Sequence, residues 1–506
     1  MKNIKLLLTI YTISLLQLVN AQQFPNDIQY QSIAPPITPA FPNYGGSVVD
    51  NSISNSIEIT RVTEAVNYVD GNGDPQIWYP THEYAKIQVW NADQTKYKIK
   101  SWKVYDASNY QEIHGLNNMF PSYWSNTNPD LIWSFRENGD IKKHIVSTNN
   151  TQTVATITKP DGSAYLHVML GPGEGNFDKN DKYVALACKD GQDMDVVVFD
   201  LENLQVVTRR KFVGCWGNGT RDFPDFVDWV SISQSGTYVV IMYHNALGNT
   251  NYYVDQDGIN HYGVEVYNAI DMVSLSRIVE YGNHGDLGYA IDGDEVLVQF
   301  WGTQAGSVYM YKLNGSGSSR IAQHSDFGVT GHISCRNINR PGWAYVTISE
   351  LDETAQIVAV KLDNSGIVEH FGHHFSSAQS YAQASMAVAS PNGDKICFKS
   401  DFGTSPNNGD VTYSFFANVA TPLSIQNEHL KNVNIYPNPA NDFIKIKSIK
   451  DIKNITIYNA MGQKIKTFLV KNSNTSTINT INLNNGFYYL KITTEKGEII
   501  KQIIIQ

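Results

Sequence analysis

Between about residue 80 and residue 420, apolar positions come in short runs broken by Gly, Asp and Asn. No stretch of useful length holds the 3.6-residue period of an amphipathic helix, so the pattern predicts strands throughout. One phrase repeats: strand, tight turn, strand, gap, strand. Its clearest copies are His284-Gly-Asp-Leu-Gly-Tyr-Ala-Ile-Asp-Gly-Asp-Glu-Val-Leu-Val298 and Ala389-Ser-Pro-Asn-Gly-Asp-Lys-Ile-Cys-Phe398. Turns of the same kind stand at Asn91-Ala-Asp93, Glu137-Asn-Gly-Asp140 and Ser235-Gly236. Asn-Gly and Asp-Gly supply the positive φ that a two-residue hairpin requires. Later strands recur as Val196–Asp200, Gly263–Tyr267, Val308–Tyr311 and Ile357–Lys361.

Seven such units start near Tyr84, Asp130, Gly173, Asp228, Asp286, Ile333 and Ser385. A period of roughly 40–60 residues with four short strands per unit is the pattern of a β-propeller. The expected class is therefore all-β, with a seven-bladed β-propeller over residues 47–420. The competing architecture is a β-sandwich or several small β domains. The alternating segment 55–62 is placed to complete the last blade and close the ring, which removes exposed sheet edges.

The flanking segments read differently. Lys2 and Lys5 precede the apolar run Leu6 to Val19, and Val19-Asn20-Ala21 is a small-residue cleavage site. Residues 1–21 are expected to be a secretory signal peptide. Residues 22–46, rich in Pro, Gln and Ser, form an extended leader. Residues 421–432 form a linker, and beyond them Lys outnumbers Asp plus Glu, although the whole chain carries a net charge of −10. That shift sets residues 433–506 apart as a separate module. No basic cluster points to nucleic acid, and no other segment is long and apolar enough for a membrane span. Four cysteines, Cys188, Cys215, Cys335 and Cys397, could pair in three ways. Cys188 and Cys397 lie in strand-like runs and read as buried thiols.

Candidate chemistry follows from the repeat. The innermost strand of a blade starts at the funnel, so side chains there converge from distant parts of the sequence. His167, His284, His332 and the pair His373-His374 stand at or just before such starts. In Gly331-His-Ile-Ser-Cys-Arg-Asn337, His332 and Cys335 are three apart, a spacing that suits one metal. His284 is the third ligand, with His261 or His324 as a fourth. Mixed N/S ligation favours one structural Zn²⁺, with Ca²⁺ as the alternative. A buried thiol beside a loop-pinning imidazole would give the same spacing. Tyr243-His244 ends an apolar strand before a long loop, and His167 precedes a Gly-rich turn; a general acid and a general base fit these positions. No nucleophile elbow, zinc-protease motif or dinucleotide fingerprint is present, and no organic cofactor is expected.

Two resemblances add to this. Val433-Asn-Ile-Tyr-Pro-Asn-Pro-Ala440, Ile455-Thr-Ile-Tyr-Asn-Ala-Met-Gly-Gln-Lys-Ile465 and Leu483-Asn-Asn-Gly-Phe-Tyr-Tyr-Leu-Lys-Ile492 stand in order before the terminal Lys501-Gln-Ile-Ile-Ile-Gln506. This module resembles the C-terminal sorting domain of the Bacteroidetes type IX secretion system. The resemblance implies a small β-sandwich, the type IX machinery as partner, and a secreted or cell-surface destination. The repeat region, with Arg340-Pro-Gly-Trp-Ala-Tyr-Val346 and Ser400-Asp-Phe-Gly403, is similar to secreted propeller polysaccharide lyases, notably ulvan lyases, and more distantly to oligogalacturonate lyase. It implies β-elimination on an acidic, uronate-containing polysaccharide, with His as base, Tyr as acid and Arg as carboxylate neutraliser. His167 matches the base region, Tyr243 the acid and His144 a second histidine. Where the Arg is expected, Asn260-His261-Tyr262 stands instead. His261 then substitutes as donor, or Arg336 reaches in from another blade to bind substrate. The Gln/His metal cluster in the last blade of oligogalacturonate lyase has no counterpart in Gln379-Ser-Tyr-Ala-Gln-Ala-Ser-Met386, which lacks those histidines. The missing Arg favours the rival function, a non-catalytic propeller that binds glycans or a protein at the cell surface.

Overall fold

The computed structural model describes residues 26–27, 29–53, 56–171, 174–219, 224–244, 252–300, 306–328, 331–348, 356–377, 381–404, 411–419, 434–459, 464–494 and 497–506. The expected signal peptide and the linker lie outside these residues. The chain divides into two compact units, residues 1–420 and 421–506.

The first unit is a seven-bladed propeller. Blade 2 contains Ser122–Trp124, Leu131–Phe135, Asp140–Ile145 and Asn150–Thr156. Blade 3 contains His167–Met169, Tyr183–Asp190, Asp193–Asp200 and Gln205–Phe212. Blade 4 contains Val227–Ile232, Tyr238–Tyr243, Val264–Asn268 and Ser274–Val279. Blade 5 contains Gly285–Tyr289, Glu295–Phe300, Ser307–Lys312 and Ser318–Gln323. Blade 6 contains His332–Ser334, Trp343–Thr347, Gln356–Lys361 and Val368–His373, with Asn26–Asp27 added at its outer edge. Blade 1 has three full strands, Lys96–Ile99, Lys103–Asp106 and Glu112–Gly115, and its innermost element is reduced to the bridge between Trp90 and Tyr97.

Blade 7 closes the ring. Val388–Ala389, Ile396–Ser400 and Tyr413–Val419 come from the end of the unit, and Ile57–Arg61 pairs antiparallel with Tyr413–Val419 from its beginning. Ser47–Asp50 adds an outer strand. The alternating segment near 55–62 thus does what its pattern suggests: it supplies a strand to the last blade and leaves no open seam.

The apolar residues pack between blades. Cores form from blades 1 and 2 around Val104, Trp124 and Ile132, 2 and 3 around Trp133 and Leu186, and 3 and 4 around Val196 and Ile241. They continue from blades 4 and 5 around Val264 and Leu297, 5 and 6 around Val298 and Val346, 6 and 7 around Ala359 and Phe398, and 7 and 1 around Cys397 and Trp90. Each blade is therefore buried on both faces. This accounts for central strands such as Tyr238–Tyr243 and Gln356–Lys361, which read as near-continuous apolar runs.

Two blade starts differ from expectation. Blade 2 begins at Ser122, before Asp130, and blade 3 begins at His167, before Gly173. The innermost strand of each has only three residues, too short for an alternation signal. In blade 2 the stronger apolar run Leu131–Phe135 is the second strand.

The second unit is a five-stranded β module made from Asn434–Tyr436, Phe443–Asn459, Lys464–Asn479, Gly486–Thr494 and Gly497–Ile505. Its own core includes Ile444, Ile455, Leu490, Ile492 and Ile503.

Candidate functional site at the funnel mouth

In a four-stranded meander the start of the first strand and the turn between the second and third strands share one end of the blade. That end is the mouth of the funnel. Three residues of the blade 1 lead-in, Glu83, Tyr84 and Lys86, enter it just before the Trp90 bridge. His284 and His332 open blades 5 and 6, and Asp228 and Trp229 begin blade 4.

These residues meet across the axis. The Tyr84 and His332 rings stand at right angles with centroids 4.9 Å apart. His332 stacks on His284 at 4.6 Å, and Tyr381, from the connection into blade 7, lies 6.0 Å from His332. Lys86 Nζ pairs with Glu174 at 2.7 Å, from the loop that interrupts the blade 3 inner edge between Met169 and Phe177, and lies 4.2 Å above the Trp229 ring. The ammonium is buried and Glu174 is part-exposed. Beside them Asp228 approaches His244 at 3.7 Å. Burial, followed by the Glu174 charge, pushes the Asp228 carboxyl above its ordinary value. Further along the inner strands, polar ties link the blades around the axis. Gln88 donates to the carbonyls of Arg336 and Ala389, Gln234 to those of Leu287 and Cys335, and Asn176 to that of Lys86. The chemistry that this mouth assembles is one of imidazoles, phenols, an ammonium and two carboxylates, on a floor of inter-blade hydrogen bonds.

Of the residues singled out from sequence, His284 and His332 come together here. His167 opens the inner strand of blade 3 at the same end and is buried. The others are placed elsewhere. Tyr243 is fully buried, with its hydroxyl 3.4 Å from that of Tyr267. Burial and the neighbouring Tyr267 and Glu265 push its phenol far above the usual value. His261 lies beside it, ring centroids 5.7 Å apart, held by Glu265 at 2.7 Å and Asp255 at 3.2 Å. Burial draws the His261 pKa down, but these two carboxylates outweigh it and hold the imidazole above its ordinary value. His144 sits in the third strand of blade 2 against His114 of blade 1, and bonds Thr151 at 2.8 Å. Burial, then His114, lowers its pKa to about 4.

Arg336 requires a correction. It is buried, and its Nε and Nη2 clasp both oxygens of Asp286 at 2.9 Å, with Nη2 also donating to Leu287 O. The guanidinium ties blade 6 to blade 5 and is spent on that bridge. The proposed metal ligands do not fit a metal. Among the described residues no three His, Cys, Asp or Glu side chains gather into a metal-binding group. The His284 and His332 rings are nearly parallel, at 20°, so their in-plane lone pairs do not converge on a point. The Cys335 thiol packs in the blade 5–6 core 4.0 Å from Asp286 O, and burial pushes its pKa well up. All four cysteines are buried and unpaired with one another.

Sequence reasoning missed Tyr84, Lys86, Glu174, Trp229 and Tyr381. The signal was available: each lies within a few residues of an innermost-strand start or end, the rule that brought out His284 and His332.

The secretion system C-terminal sorting domain model matches residues 434–506. The chain thus carries a type IX sorting signal and is exported to the cell surface or beyond. No curated protein matches the chain. Among solved structures, it is similar to an oligogalacturonate lyase in complex with manganese, at 10% identity and a TM-score of 0.47, over 71% of this chain and 97% of that one. It is also similar to an oligogalacturonate lyase from Vibrio parahaemolyticus, at 11% identity and a TM-score of 0.42, over 71% and 98%. A third match, the extracellular domain of a putative hybrid two component system from B. thetaiotaomicron, has 11% identity and a TM-score of 0.38, over 87% and 61%. At these values no residue role transfers to this chain. Among the described residues no helix is long and apolar enough to cross a membrane.

Proposed function

We propose that the propeller is a secreted polysaccharide lyase that takes a uronate unit of an acidic polysaccharide, ulvan-like in chemistry, into the funnel mouth. The observation that carries this reading is the Tyr84–His332 contact beside the Lys86 ammonium. Elimination needs a base, an acid and a cation, and these three residue types stand together at the mouth end of the fold, with Tyr84 part-exposed and His332 and Lys86 buried behind it. A cation near the uronate carboxylate acidifies the C5 proton. The His332 imidazole removes that proton, and the electron pair forms the C4–C5 double bond. The glycosidic oxygen leaves C4 and takes a proton from the Tyr84 hydroxyl. His284, stacked on His332, orients the base. His167 stands buried at the same end of blade 3. In this reading the base and acid roles first assigned to His167 and Tyr243 move to His332 and Tyr84.

One observation favours a second reading, a non-catalytic glycan-binding propeller. Lys86 is already engaged by Glu174 at 2.7 Å, so its charge is partly spent before any uronate arrives. Incubation of the full chain with ulvan, pectate and alginate separates the two. The lyase reading expects growing ultraviolet absorbance from unsaturated uronate on at least one polymer. Retention on a polymer with no new chain ends would leave the binding reading in its place.

A further inference from the structure

A two-stranded hairpin stands at the rim of the mouth. Val66–Val69 pairs with Pro75–Trp78 between the ring-closing strand and the blade 1 lead-in. It belongs to none of the seven blade sheets. Its side chains are left in water: Tyr68 is 49% exposed, Ile77 56% and Val69 66%. An isolated hairpin is marginal in water, and this one spends apolar surface on solvent. It is pinned at its base, where Trp78 meets Trp102 edge-on at 4.7 Å. Trp102 lies in the turn between the second and third sheet strands of blade 1 (Lys96–Ile99 and Lys103–Asp106).

The register determines which rings share a face. Tyr68 is opposite Gln76, and Val66 is opposite Trp78. Side chains two apart on a strand point the same way, so Tyr68 and Trp78 lie on one face. Trp102 extends that face onto blade 1. Lys100 reaches over Trp78 at 5.9 Å and has no carboxylate partner among the described residues. Lys103, over Trp102 at 4.2 Å, is balanced by Glu112. The result is an aromatic ledge with one uncommitted cation. From Trp78, the run 79–86 leads directly to Tyr84 and Lys86 at the funnel, a span of at most ~28 Å.

We infer that this ledge is a rim subsite that stacks pyranose rings of an acidic polysaccharide and passes the chain toward the funnel. The inference rests on the funnel reading for the direction of the chain and on its own residues for binding. Flat sugar faces pack on aromatic rings, and the Lys100 ammonium matches a uronate carboxylate. The ledge holds the polymer and takes no part in bond cleavage.

The test uses the full chain in affinity electrophoresis through gels containing ulvan or polygalacturonate, with dextran as a neutral control. The Tyr68→Ala/Lys100→Gln double variant alters exposed or half-exposed groups, and its melting temperature checks the fold. The expected result is about a tenfold weaker retention on at least one uronate polymer, with the melting temperature unchanged. Wild-type retention in the double variant, or no retardation of the wild type by either uronate polymer, overturns the inference. Ledge-dependent retention without unsaturated products keeps the ledge and discards the lyase. Elimination with no ledge dependence does the reverse.

Discussion

Among the tyrosine–histidine contacts of this propeller, two invite comparison. In blade 4, Tyr243 and His261 lie 5.7 Å apart; at the funnel, Tyr84 and His332 lie 4.9 Å apart. The residue types are the same and the settings differ in one member: Tyr243, His261 and His332 are buried, whereas Tyr84 is part-exposed. The blade 4 pair is sealed among Phe212, Tyr253 and Tyr267; Glu265 and Asp255 hold the two His261 nitrogens, and the Tyr243 hydroxyl faces that of Tyr267. The funnel pair stands at an end of the ring, between part-exposed His284 and exposed Tyr381. The lesson is that a pair suited to proton transfer acts according to what can reach it. In blade 4 the reachable groups belong to the protein, so the pair stabilises; at the mouth, in the proposed reading, they would include a uronate unit.

The largest effect that would sharpen this contrast is kinetic. On whichever uronate polymer is cleaved, His332→Ala and Tyr84→Phe should each lower kcat by about 10²-fold or more. Next in size are losses of buried charge pairs. Arg336→Met should destabilise by about 3–5 kcal/mol in denaturant titration, because Asp286 is left unpaired between blades 5 and 6. Substrate affinity should be affected only through folding, in contrast to a substrate-binding arginine.

The pH dependence of stability separates the histidines further. His261 has a raised pKa, so its contribution is full below the unfolded value of 6.5 and fades as pH rises through the folded value. The melting temperature should therefore decline as pH rises above 6.5, and His261→Gln should flatten that decline. His144 acts in the opposite sense. It is buried neutral with a pKa of about 4, so the stability it supports fades as pH falls from 6.5 toward 4. His144→Gln should remove that acid-side slope. The smallest effect is expected from Tyr243→Phe, which loses a 3.4 Å hydroxyl contact and should cost about 1 kcal/mol or less.

Much of the architecture was legible in the sequence because it rests on local signals. Asp292-Gly-Asp294 and Asn392-Gly393 mark real hairpins, and the alternation near Ile57–Arg61 marks the closing strand. The blade 2 start was not legible, since Ser122–Trp124 is too short to show a period. The site was legible in half. The position of His284 and His332 at strand starts is a local property, and it brought them to one place. Their neighbour Tyr84 comes from the other end of the propeller sequence, and only ring closure puts it against His332. Tyr243 shows the converse limit. Its place at a strand end before a long loop looks functional, but burial between blades 3 and 4 is set by side chains far away in the chain. Arg336 was misread for a similar reason: its partner, Asp286, sits one blade earlier.

The central claim, that the funnel pair carries chemistry and the blade 4 pair carries stability, is tested most directly by initial rates of unsaturated-uronate formation for matched variants. Wild type, Tyr84→Phe, His332→Ala, Tyr243→Phe and His261→Gln would be compared on one polymer at a temperature where all are folded. The expected result is loss of activity in the two funnel variants and near wild-type rates in the two blade 4 variants. Loss in Tyr243→Phe with full activity in Tyr84→Phe would contradict it, as would folded wild-type protein that forms no unsaturated uronate on ulvan, pectate or alginate.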